Sequence, residues 1–256
     1  MVYFDVHPNS VERLPFTLTE SSVLAVIPAR FHSTRLPGKI LEDIAGKPMI
    51  QHVYEQAKKA TLVHGVIVAT DDARIFDTVR AFGGVALMTR TDHISGTDRI
   101  AEIISRHPCG IVVNVQGDEP LIDPRNIDAA IAPLLDDRSV AMGTLSRPFV
   151  YPGEFANPNV VKVVTNQFGD ALDFSRGPLE DAAAHIGLYV YRRETLLKLA
   201  AAPAVPRELE ERLEQLRALT HGIKIRVVLT TQTAAGVDTP EDLERVRSIM
   251  MASSRN

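Results

Sequence analysis

The sequence predicts an α/β fold with a mainly parallel central sheet, and two patterns along the chain carry this prediction. In the first half, short apolar runs alternate four times with segments whose apolar residues recur at helical spacing. This alternation is typical of parallel strands that are covered by helices on both faces. After residue 140, strand-like runs follow one another over short connections. These runs predict a mixed or antiparallel extension of the same sheet.

The elements of the first half follow from periodicity and from residues that begin or end helices. The predicted strands are short and rich in β-branched residues, at 23–27, 65–69, 85–88 and 111–116. The predicted helices begin at Pro48, run over 73–82 and about 97–106, and begin again near Pro124. Asp72 is expected to cap the second helix, and Gly83 and Gly84 are expected to end it.

The second half is predicted to contain more strands than helices. The strand-like runs lie at 140–146, 160–166, 171–175, 186–192 and 223–229. The predicted helices are 194–201, a charged helix over 207–219 with an apolar stripe of Leu209, Leu213, Leu216 and Leu219, and a last helix from Thr239 to about Met250. We find no repeat or linker and predict one domain over residues 21–256. Residues 1–20 are an N-terminal extension, expected to be a tail or a loosely docked arm.

The composition excludes several classes of function. The chain has 256 residues, of which 45% are hydrophobic, and a net charge of −4, so no global basic field attracts nucleic acid or anionic lipid. No apolar run approaches the ~20 residues needed to cross a bilayer. The single cysteine, Cys109, excludes an internal disulfide and is expected to be buried and inert. We therefore expect a cytoplasmic protein with no nucleic-acid or membrane partner.

A cationic loop follows the first predicted strand and contains Arg30, Arg35 and Lys39. Ligands of α/β folds bind at the carboxyl ends of the strands, so the loop favours an anion site; the alternative is a solvated basic loop. The glycine-rich dinucleotide fingerprint and the Walker sequence are both absent. Arg30 and Lys39 can instead clamp successive phosphates, the arginine through its planar fork and the lysine as a compact charge.

Two carboxylates are expected at the same edge of the sheet. Asp118 follows the strand at 111–116, and Asp238 follows the segment 230–237. A carboxylate among phosphate-binding cations indicates that a metal ion accompanies the ligand, and Mg²⁺ is typically held by one or two carboxylates plus phosphate oxygens. The alternative for Asp118 is a simple acidic turn, and for Asp238 it is capping of the last helix.

Ten short runs of sequence then identify a family. Four of them are Gly46-Lys-Pro-Met-Ile-Gln-His-Val-Tyr54, Ser95-Gly-Thr-Asp-Arg99, Val115-Gln-Gly-Asp-Glu-Pro120 and Val237-Asp-Thr-Pro-Glu-Asp-Leu243. The other six are 27–39, 68–72, 81–84, 88–90, 185–187 and 213–217. These runs extend over about residues 23–250. In the order and spacing of the runs, the chain resembles the 3-deoxy-manno-octulosonate (Kdo) cytidylyltransferases, or CMP-Kdo synthetases.

The resemblance implies both a fold and a reaction. The fold is the three-layer nucleotide-diphospho-sugar transferase fold. In the reaction, the anomeric hydroxyl of Kdo attacks the α-phosphorus of CTP, giving CMP-Kdo for lipopolysaccharide synthesis and pyrophosphate. Mg²⁺ is the implied cofactor, and either Asp118 or a hydroxide on the metal takes the hydroxyl proton. The resemblance also implies a homodimer formed through strands in about residues 140–192.

The resemblance assigns roles to individual residues. The implied catalytic residues are Arg30, Lys39, Asp118 and Asp238, of which the two aspartates are the metal ligands. The implied nucleotide-binding residues are Arg30, Lys39, Arg74, Ser95, Gly96, Asp98 and Gln116. The implied sugar-binding residues are Arg176, His185, Tyr189, Glu214 and Gln215. Taken alone, His185 has a structural interpretation, and Glu214 and Gln215 could equally face solvent on the predicted charged helix.

One segment departs from the family pattern. Family members usually follow the Phe-Ser-Arg motif, here 174–176, with a longer proline-containing loop that often carries another basic residue. The loop over 177–184 is short and has no such residue. The short loop leaves room for a modified acceptor, such as an 8-amino form of Kdo. A separate alternative is another 2-keto sugar acid such as a sialic acid, although the runs 116–120 and 185–187 favour Kdo. A non-catalytic nucleotide-sugar sensor is disfavoured because all four implied catalytic residues are present.

Overall fold

The computed structural model describes residues 14–32, 36–232 and 236–253. Two predicted features therefore lie wholly or partly outside the described residues, namely the loop cation Arg35 and most of the N-terminal extension. Within that extension, the described side chains of Leu14, Phe16 and Leu18 pack against the hydrophobic core. Residues 14–18 thus form a docked arm.

The secondary structure alternates as predicted through the first half. In chain order it contains β1 (Val23–Ala29), a 3₁₀ turn (Lys39–Leu41), β2 (Asp43–Ile44), β3 (Lys47–Pro48), α1 (Met49–Lys59), β4 (Gly65–Thr70), α2 (Ala73–Ala81), β5 (Ala86–Met88), α3 (Gly96–Arg106), β6 (Ile111–Asn114) and α4 (Pro124–Asp136). The Asp72 side chain accepts a hydrogen bond from the Arg74 backbone N–H, which confirms the predicted cap. The small hairpin of β2 and β3 is not predicted, because its two-residue strands show no periodicity.

The second half contains the predicted strands in a mixed arrangement. Its elements are β7 (Met142–Arg147), β8 (Lys162–Thr165), β9 (Ala171–Ser175), β10 (Ala183–Arg192), α5 (Arg193–Ala201), α6 (Pro206–Glu211), α7 (Gln215–Thr220), β11 (Ile225–Leu229) and α8 (Pro240–Ser253). The main sheet has the order β11-β7-β10-β6-β1-β4-β5, with β8 and β9 attached beside β10. Strand β10 runs antiparallel to both of its neighbours, whereas β6, β1, β4 and β5 are parallel.

Helices cover both faces of the sheet, so the molecule has three layers. On one face, α1, α2 and α4 supply residues such as Val53, Val79 and Ile127 to the core. On the other face, α3, α5 and α7 pack through residues such as Ile103. Cys109 is fully buried in this second layer, as predicted, and burial raises the pKa of its thiol to about 11.

The strand order opens a crevice at one edge of the sheet. Strands β1 and β6 are neighbours, and from their carboxyl ends the chain leaves β1 towards β4 on one side and leaves β6 towards β7 on the other. Gly117, after β6, closes onto this edge, because a Cβ there would lie 3.2 Å from the carbonyl oxygen of Pro28. Gly96 packs on the same proline, at 3.2 Å from its Cγ. The loops after β1, β5 and β6 therefore meet at one place.

The single helix predicted over 207–219 is wrong. The chain forms α6 and α7 instead, separated by Arg212 in the left-handed region with a φ of 54°. A buried ion pair explains the break: Arg217 donates to Glu208 at 2.6 Å and 2.9 Å. In one continuous helix, at roughly 100° per residue, these two side chains would point in opposite directions. Leu209, predicted to be in the apolar stripe, is consequently 66% exposed.

The Glu208–Arg217 pair is expected to be a large contributor to stability. Arg217→Met leaves the buried Glu208 carboxylate without its charged partner, so we expect a loss of about 3–5 kcal/mol in the free energy of unfolding. Urea unfolding measures it. The matched control is Arg207→Met, which removes the more exposed pair with Asp173 and should cost less than about 1 kcal/mol. Equal losses in the two variants would contradict the importance of the buried pair.

Candidate active site

The ammonium group of Lys39 lies at the centre of the crevice. Its Nζ donates to Asp118 Oδ2 at 2.6 Å, to Asp238 Oδ1 at 3.0 Å and to the carbonyl oxygen of Val237 at 2.9 Å. An ammonium has three N–H donors, so these three bonds saturate it. The predicted cation and the two predicted metal ligands therefore converge on one point, although they are far apart in the sequence.

The local structure brings these three side chains together. The 3₁₀ turn that carries Lys39 is preceded by Gly38, whose positive φ of 72° lets the loop fold back after β1. The backbone N–H of Val237 donates to the carbonyl of Asp118 at 2.9 Å, which joins the loop before α8 to the loop after β6. The Lys39 side chain is only 12% exposed, so it is not part of a solvated basic loop.

Thr239 and Asp242 cap the start of α8. The reciprocal bonds at the start of α8 are made by Thr239 and Asp242: the Asp242 N–H donates to Thr239 Oγ1 at 3.2 Å, and the Thr239 N–H donates to Asp242 Oδ2 at 3.1 Å. The Asp238 carboxylate instead accepts from Lys39. Asp238 therefore belongs to a charge cluster at the mouth of the crevice.

The charges of this cluster shift the pKa values around it. Burial opposes the charge of Lys39, but Asp118 and Asp238 outweigh it and hold the pKa of the ammonium above its ordinary value. The carboxyl of Glu119, which follows Asp118 in the chain, is shifted towards its neutral form. Burial, reinforced by the charges of Asp118 and Asp238, raises the pKa of its carboxyl to about 8. The sequence interpretation treats Glu119 only as part of a turn, because its pattern contains no sign of burial.

The guanidinium of Arg30 lies at the same crevice and has a donor group without a partner. Its Nη2 atom is buried and has no hydrogen-bond partner among the described residues. Burial and the nearby charge of Arg99 lower the pKa of the guanidinium, while Asp71 and Asp98 partly offset them. Arg99 itself is completely buried and donates to Asp71 at 2.8 Å. An arginine beside a second cation, with an unused buried donor, is suited to receive an anionic ligand.

The other predicted nucleotide-binding residues line the loops at this edge. Ser95 and Asp98 form a reciprocal capping box that begins α3. Gln116 donates to Asn114 at 3.0 Å. Arg74 is 58% exposed, pairs with Asp72, and lies over the ring of Phe31 at 3.3 Å from the ring centroid. Ser95, Asp98 and Gln116 lie in or next to the loops that meet at the crevice, whereas Arg74 lies on α2. In the described structure, no direct bond joins any of them to the Lys39 cluster.

Three of the predicted sugar-binding residues form one continuous row. The rings of His185 and Tyr189, on the same side of β10, lie 5.5 Å apart. The Tyr189 hydroxyl donates to Gln215 Oε1 at 3.1 Å. Gln215 is 3% exposed, so it does not face solvent, and its Nε2 is buried with no hydrogen-bond partner in the described chain. The row thus ends in an unused amide donor.

Glu214 and Arg176, the other two predicted sugar-binding residues, already form hydrogen bonds with other groups of the protein. Glu214 accepts from Thr97 Oγ1 at 2.6 Å and from Arg217 at 3.3 Å. Burial nevertheless raises the pKa of its carboxyl. The Arg176 guanidinium donates to the backbone carbonyls of Glu211, at 2.6 Å, and Pro158, at 3.1 Å. Both residues therefore hold the surrounding chain in position in this state.

His185 is expected to make the stability of the fold depend on pH. Burial lowers the pKa of its imidazole to about 3, from 6.5 in an unfolded chain. Between these values the unfolded chain binds one more proton, so stability rises with pH and is lost as the pH falls from 6.5 towards 3. From pH 7 to pH 5 this one group should cost about 2 kcal/mol.

Urea unfolding of the wild type and of His185→Asn at pH 5 and pH 7 measures this contribution. The variant should lose less stability between the two values. His107, whose pKa burial also lowers, is present in both proteins and cancels in the comparison. An unchanged pH dependence in the variant would contradict a neutral His185 imidazole in the folded protein.

The carboxylates of the Lys39 cluster fit a divalent cation that also binds phosphate. In the described part of the chain, no group of three or more His, Cys, Asp or Glu side chains could hold a metal ion alone. Asp118 and Asp238 nevertheless converge within 3.0 Å of one positive charge. Two carboxylate ligands, with the remaining positions completed by phosphate and water, is the usual arrangement for Mg²⁺.

Comparisons with known proteins identify the family. The cytidylyltransferase family profile matches residues 24–225. The 3-deoxy-manno-octulosonate cytidylyltransferase of Solibacter usitatus (strain Ellin6076) is 54% identical over 240 residues, which cover 90% of this chain and 95% of the relative. The chain belongs to the 3-deoxy-manno-octulosonate cytidylyltransferase family.

Solved structures support the same family and confirm the predicted fold class. A structure of CMP:2-keto-3-deoxy-manno-octonic acid synthetase complexed with CTP has a TM-score of 0.87 and 45% identity, covering 91% of this chain and 100% of that one. A 4-diphosphocytidyl-2C-methyl-D-erythritol synthase from Anaerococcus prevotii has a TM-score of 0.64 at 12% identity, over 91% and 97% of the two chains, and shows the fold alone. In this member of the 3-deoxy-manno-octulosonate cytidylyltransferase family, no helix within the described ranges is both long and apolar enough to cross a membrane.

Proposed function

We propose that this chain transfers CMP from CTP to the anomeric hydroxyl of Kdo and releases pyrophosphate. The observation that carries the proposal is the convergence of Lys39, Asp118 and Asp238 beside the unused donor of Arg30. This set can bind a triphosphate together with a cation, which is what nucleotidyl transfer requires. The relatives' names supply the identity of the nucleotide and of the sugar acid.

Arg30 and Lys39 are assigned to the phosphates of CTP. The buried Nη2 of Arg30 can donate to a phosphate oxygen, and Lys39 can exchange its bonds to carboxylates for bonds to phosphate. As negative charge develops on the phosphoryl oxygens, these fixed cations stabilise it without any reorganisation of solvent. Arg99, buried beside Arg30, adds positive charge to the same region.

Asp118 and Asp238 are assigned to Mg²⁺. When bound, this ion neutralises phosphate charge and aligns the triphosphate. The two aspartates orient that charge, because one follows β6 and the other precedes α8, and the bond between Val237 N–H and the Asp118 carbonyl fixes their separation. We therefore propose Mg²⁺ as the cofactor, on the basis of these two carboxylates and of the anion-binding side chains of Arg30 and Lys39 beside them.

The row of His185, Tyr189 and Gln215 is assigned to the sugar acid. The unused Nε2 donor of Gln215 suits a carboxylate or hydroxyl oxygen, and the rings offer apolar surface to the sugar. Arg176 and Glu214 would hold the chain around this row in place. They would gain substrate contacts only if their present hydrogen bonds rearrange. The resemblance further implies a homodimer that acts in the cytoplasm, and both remain predictions.

The test is pyrophosphate release from CTP and Mg²⁺ with a panel of acceptors under identical conditions. Kdo should be the best acceptor, and omission of CTP, Kdo or Mg²⁺ should each abolish release. No release with all three present would overturn the proposal.

The 8-amino form of Kdo is the second candidate acceptor, and one feature of the structure favours testing it. The charged residues of the loop 177–184 are Glu180 and Asp181, both exposed and both acidic. This loop directly follows Arg176, one of the residues assigned to the sugar, and acidic side chains there are better suited to an amino group than to a hydroxyl. Preference for the amino sugar in the panel would replace Kdo by this acceptor while leaving the reaction type unchanged.

A further inference from the structure

The hydroxyl of Thr144, on β7, contacts three groups at once. It lies 2.9 Å from His185 Nε2, 2.8 Å from the carbonyl oxygen of Leu188 and 3.3 Å from that of Ile186. Thr144 is completely buried. The pairing of β10 with β7 shifts between Ile186 and Val190, so the ladder does not pair Leu188 with β7. The threonine side chain satisfies this carbonyl instead.

The positions of these acceptors determine where the hydroxyl proton points. A carbonyl oxygen can only accept, whereas a hydroxyl has one proton to donate and two lone pairs with which to accept. Thr144 therefore donates to a carbonyl, and Leu188 is the nearer one. Its lone pairs remain for His185, whose Nε2 must then carry the hydrogen. In a neutral imidazole this leaves Nδ1 bare, as an acceptor.

The unprotonated Nδ1 of His185 belongs to the row of side chains that is assigned to the sugar. The imidazole is neutral, since burial holds its pKa far below its ordinary value. His185 is only partly buried, and within the described chain its ring is hydrogen-bonded through Nε2 alone, which leaves Nδ1 for a ligand. The amide Nε2 of Gln215, reached through Tyr189, is the complementary feature of the row, because it can only donate.

We propose that Thr144 is a positioning residue that fixes His185 as the Nε2–H tautomer, so that Nδ1 accepts a hydrogen bond from a hydroxyl of the acceptor sugar. The proposal rests on the proposed function for the identity of the ligand. Together, the acceptor of His185 and the donor of Gln215 distinguish a sugar hydroxyl from a group that lacks a proton. This specificity originates in a buried residue that does not itself touch the sugar.

The tautomer can be measured in the free protein by long-range ¹H–¹⁵N correlation of histidine-labelled samples. The wild type should show the Nε2–H pattern for His185. Thr144→Val removes the hydroxyl at almost constant volume and should give a mixture of tautomers. Thr144→Ser keeps the hydroxyl and should restore the wild-type pattern. Thr195→Val, at a buried threonine of α5, is the matched control and should leave the His185 signals unchanged.

Steady-state kinetics then tests the effect on the sugar. Thr144→Val should raise the KM for Kdo on the order of tenfold, while the KM for CTP stays within about twofold, and Thr144→Ser should reverse the change. An Nδ1–H pattern in the wild type, or an unchanged tautomer and KM in Thr144→Val, would overturn the proposal. If no acceptor is turned over, the proposed function and its sugar assignment fail, whereas the spectra still decide the tautomer separately.

Discussion

Asp118→Asn is expected to abolish pyrophosphate release while the protein stays folded. Asparagine has the size of aspartate and can still accept a hydrogen bond from Lys39, which now bonds Asp118 at 2.6 Å. It lacks the negative charge that the proposed cation requires, and an amide is a poorer ligand for Mg²⁺ than a carboxylate. Removal of one preorganised electrostatic group at a transition state typically costs 10²–10³-fold in rate, so we expect a loss of at least about 100-fold.

Two measurements separate a loss of chemistry from a loss of structure. Pyrophosphate release at saturating CTP, Kdo and Mg²⁺ gives the rate, and the urea midpoint reports the fold. Glu55→Gln is the matched control, because Glu55 also pairs with a lysine, Lys47, at 2.7 Å, and its hydrogen bonds are to Lys47 and Gln51 rather than to the Lys39 cluster. The control should keep wild-type turnover. Full activity in Asp118→Asn would remove this carboxylate from the proposed metal site.

The parallel half of the fold is predictable because its signals are local. Alternation of apolar runs, the Asp72 cap and the short β-branched strands each depend on a few neighbouring residues, and each is observed. The prediction of a single helix over 207–219 is wrong for the opposite reason. Its break at Arg212 depends on the Glu208–Arg217 pair and on the burial of Gln215, which are tertiary contacts. Helical spacing alone carries no information about them.

The residues of the candidate site also differ in whether the sequence alone can place them. Lys39, Asp118 and Asp238 can be placed together from the sequence, since loops at the carboxyl ends of parallel strands meet at one edge of the sheet. Thr144 cannot, because its role requires the register of β7 on β10 and the irregularity near Leu188. Glu119 likewise needs the folded chain, because burial is the main cause of its raised pKa. Residues that act through burial or register are therefore missed.

The saturated ammonium of Lys39 has a consequence for metal binding. In the structure it neutralises both carboxylates that are assigned to the cation, at 2.6 Å and 3.0 Å. A divalent cation that arrives alone must compete with this charge. Phosphate from CTP offers Lys39 an alternative partner and so releases the carboxylates. Metal and nucleotide should consequently bind with positive coupling, in which each tightens the binding of the other.

Lys39→Met is expected to separate metal binding from catalysis. The variant keeps most of the side-chain volume but lacks the charge, so Mn²⁺ should bind the nucleotide-free protein more tightly than it binds the wild type, on the order of tenfold. Turnover should fall by at least about 100-fold, because a cation is lost from the triphosphate. Electron paramagnetic resonance titration of Mn²⁺, with and without CTP, measures the affinities directly and does not depend on activity.

The pattern of affinities across variants decides between this coupling and a purely phosphate-binding role for Lys39. Wild-type protein should bind Mn²⁺ more tightly when CTP is present, and Lys39→Met should show little of this gain beyond the metal's own contacts with the nucleotide. Lys47→Met removes the exposed lysine of the Glu55 pair and should retain the full wild-type coupling. Asp238→Asn should weaken Mn²⁺ binding in both the wild-type and the Lys39→Met background, since it removes one of the two assigned ligands. Equal Mn²⁺ affinity in nucleotide-free wild type and Lys39→Met would show that the ammonium does not compete for the carboxylates.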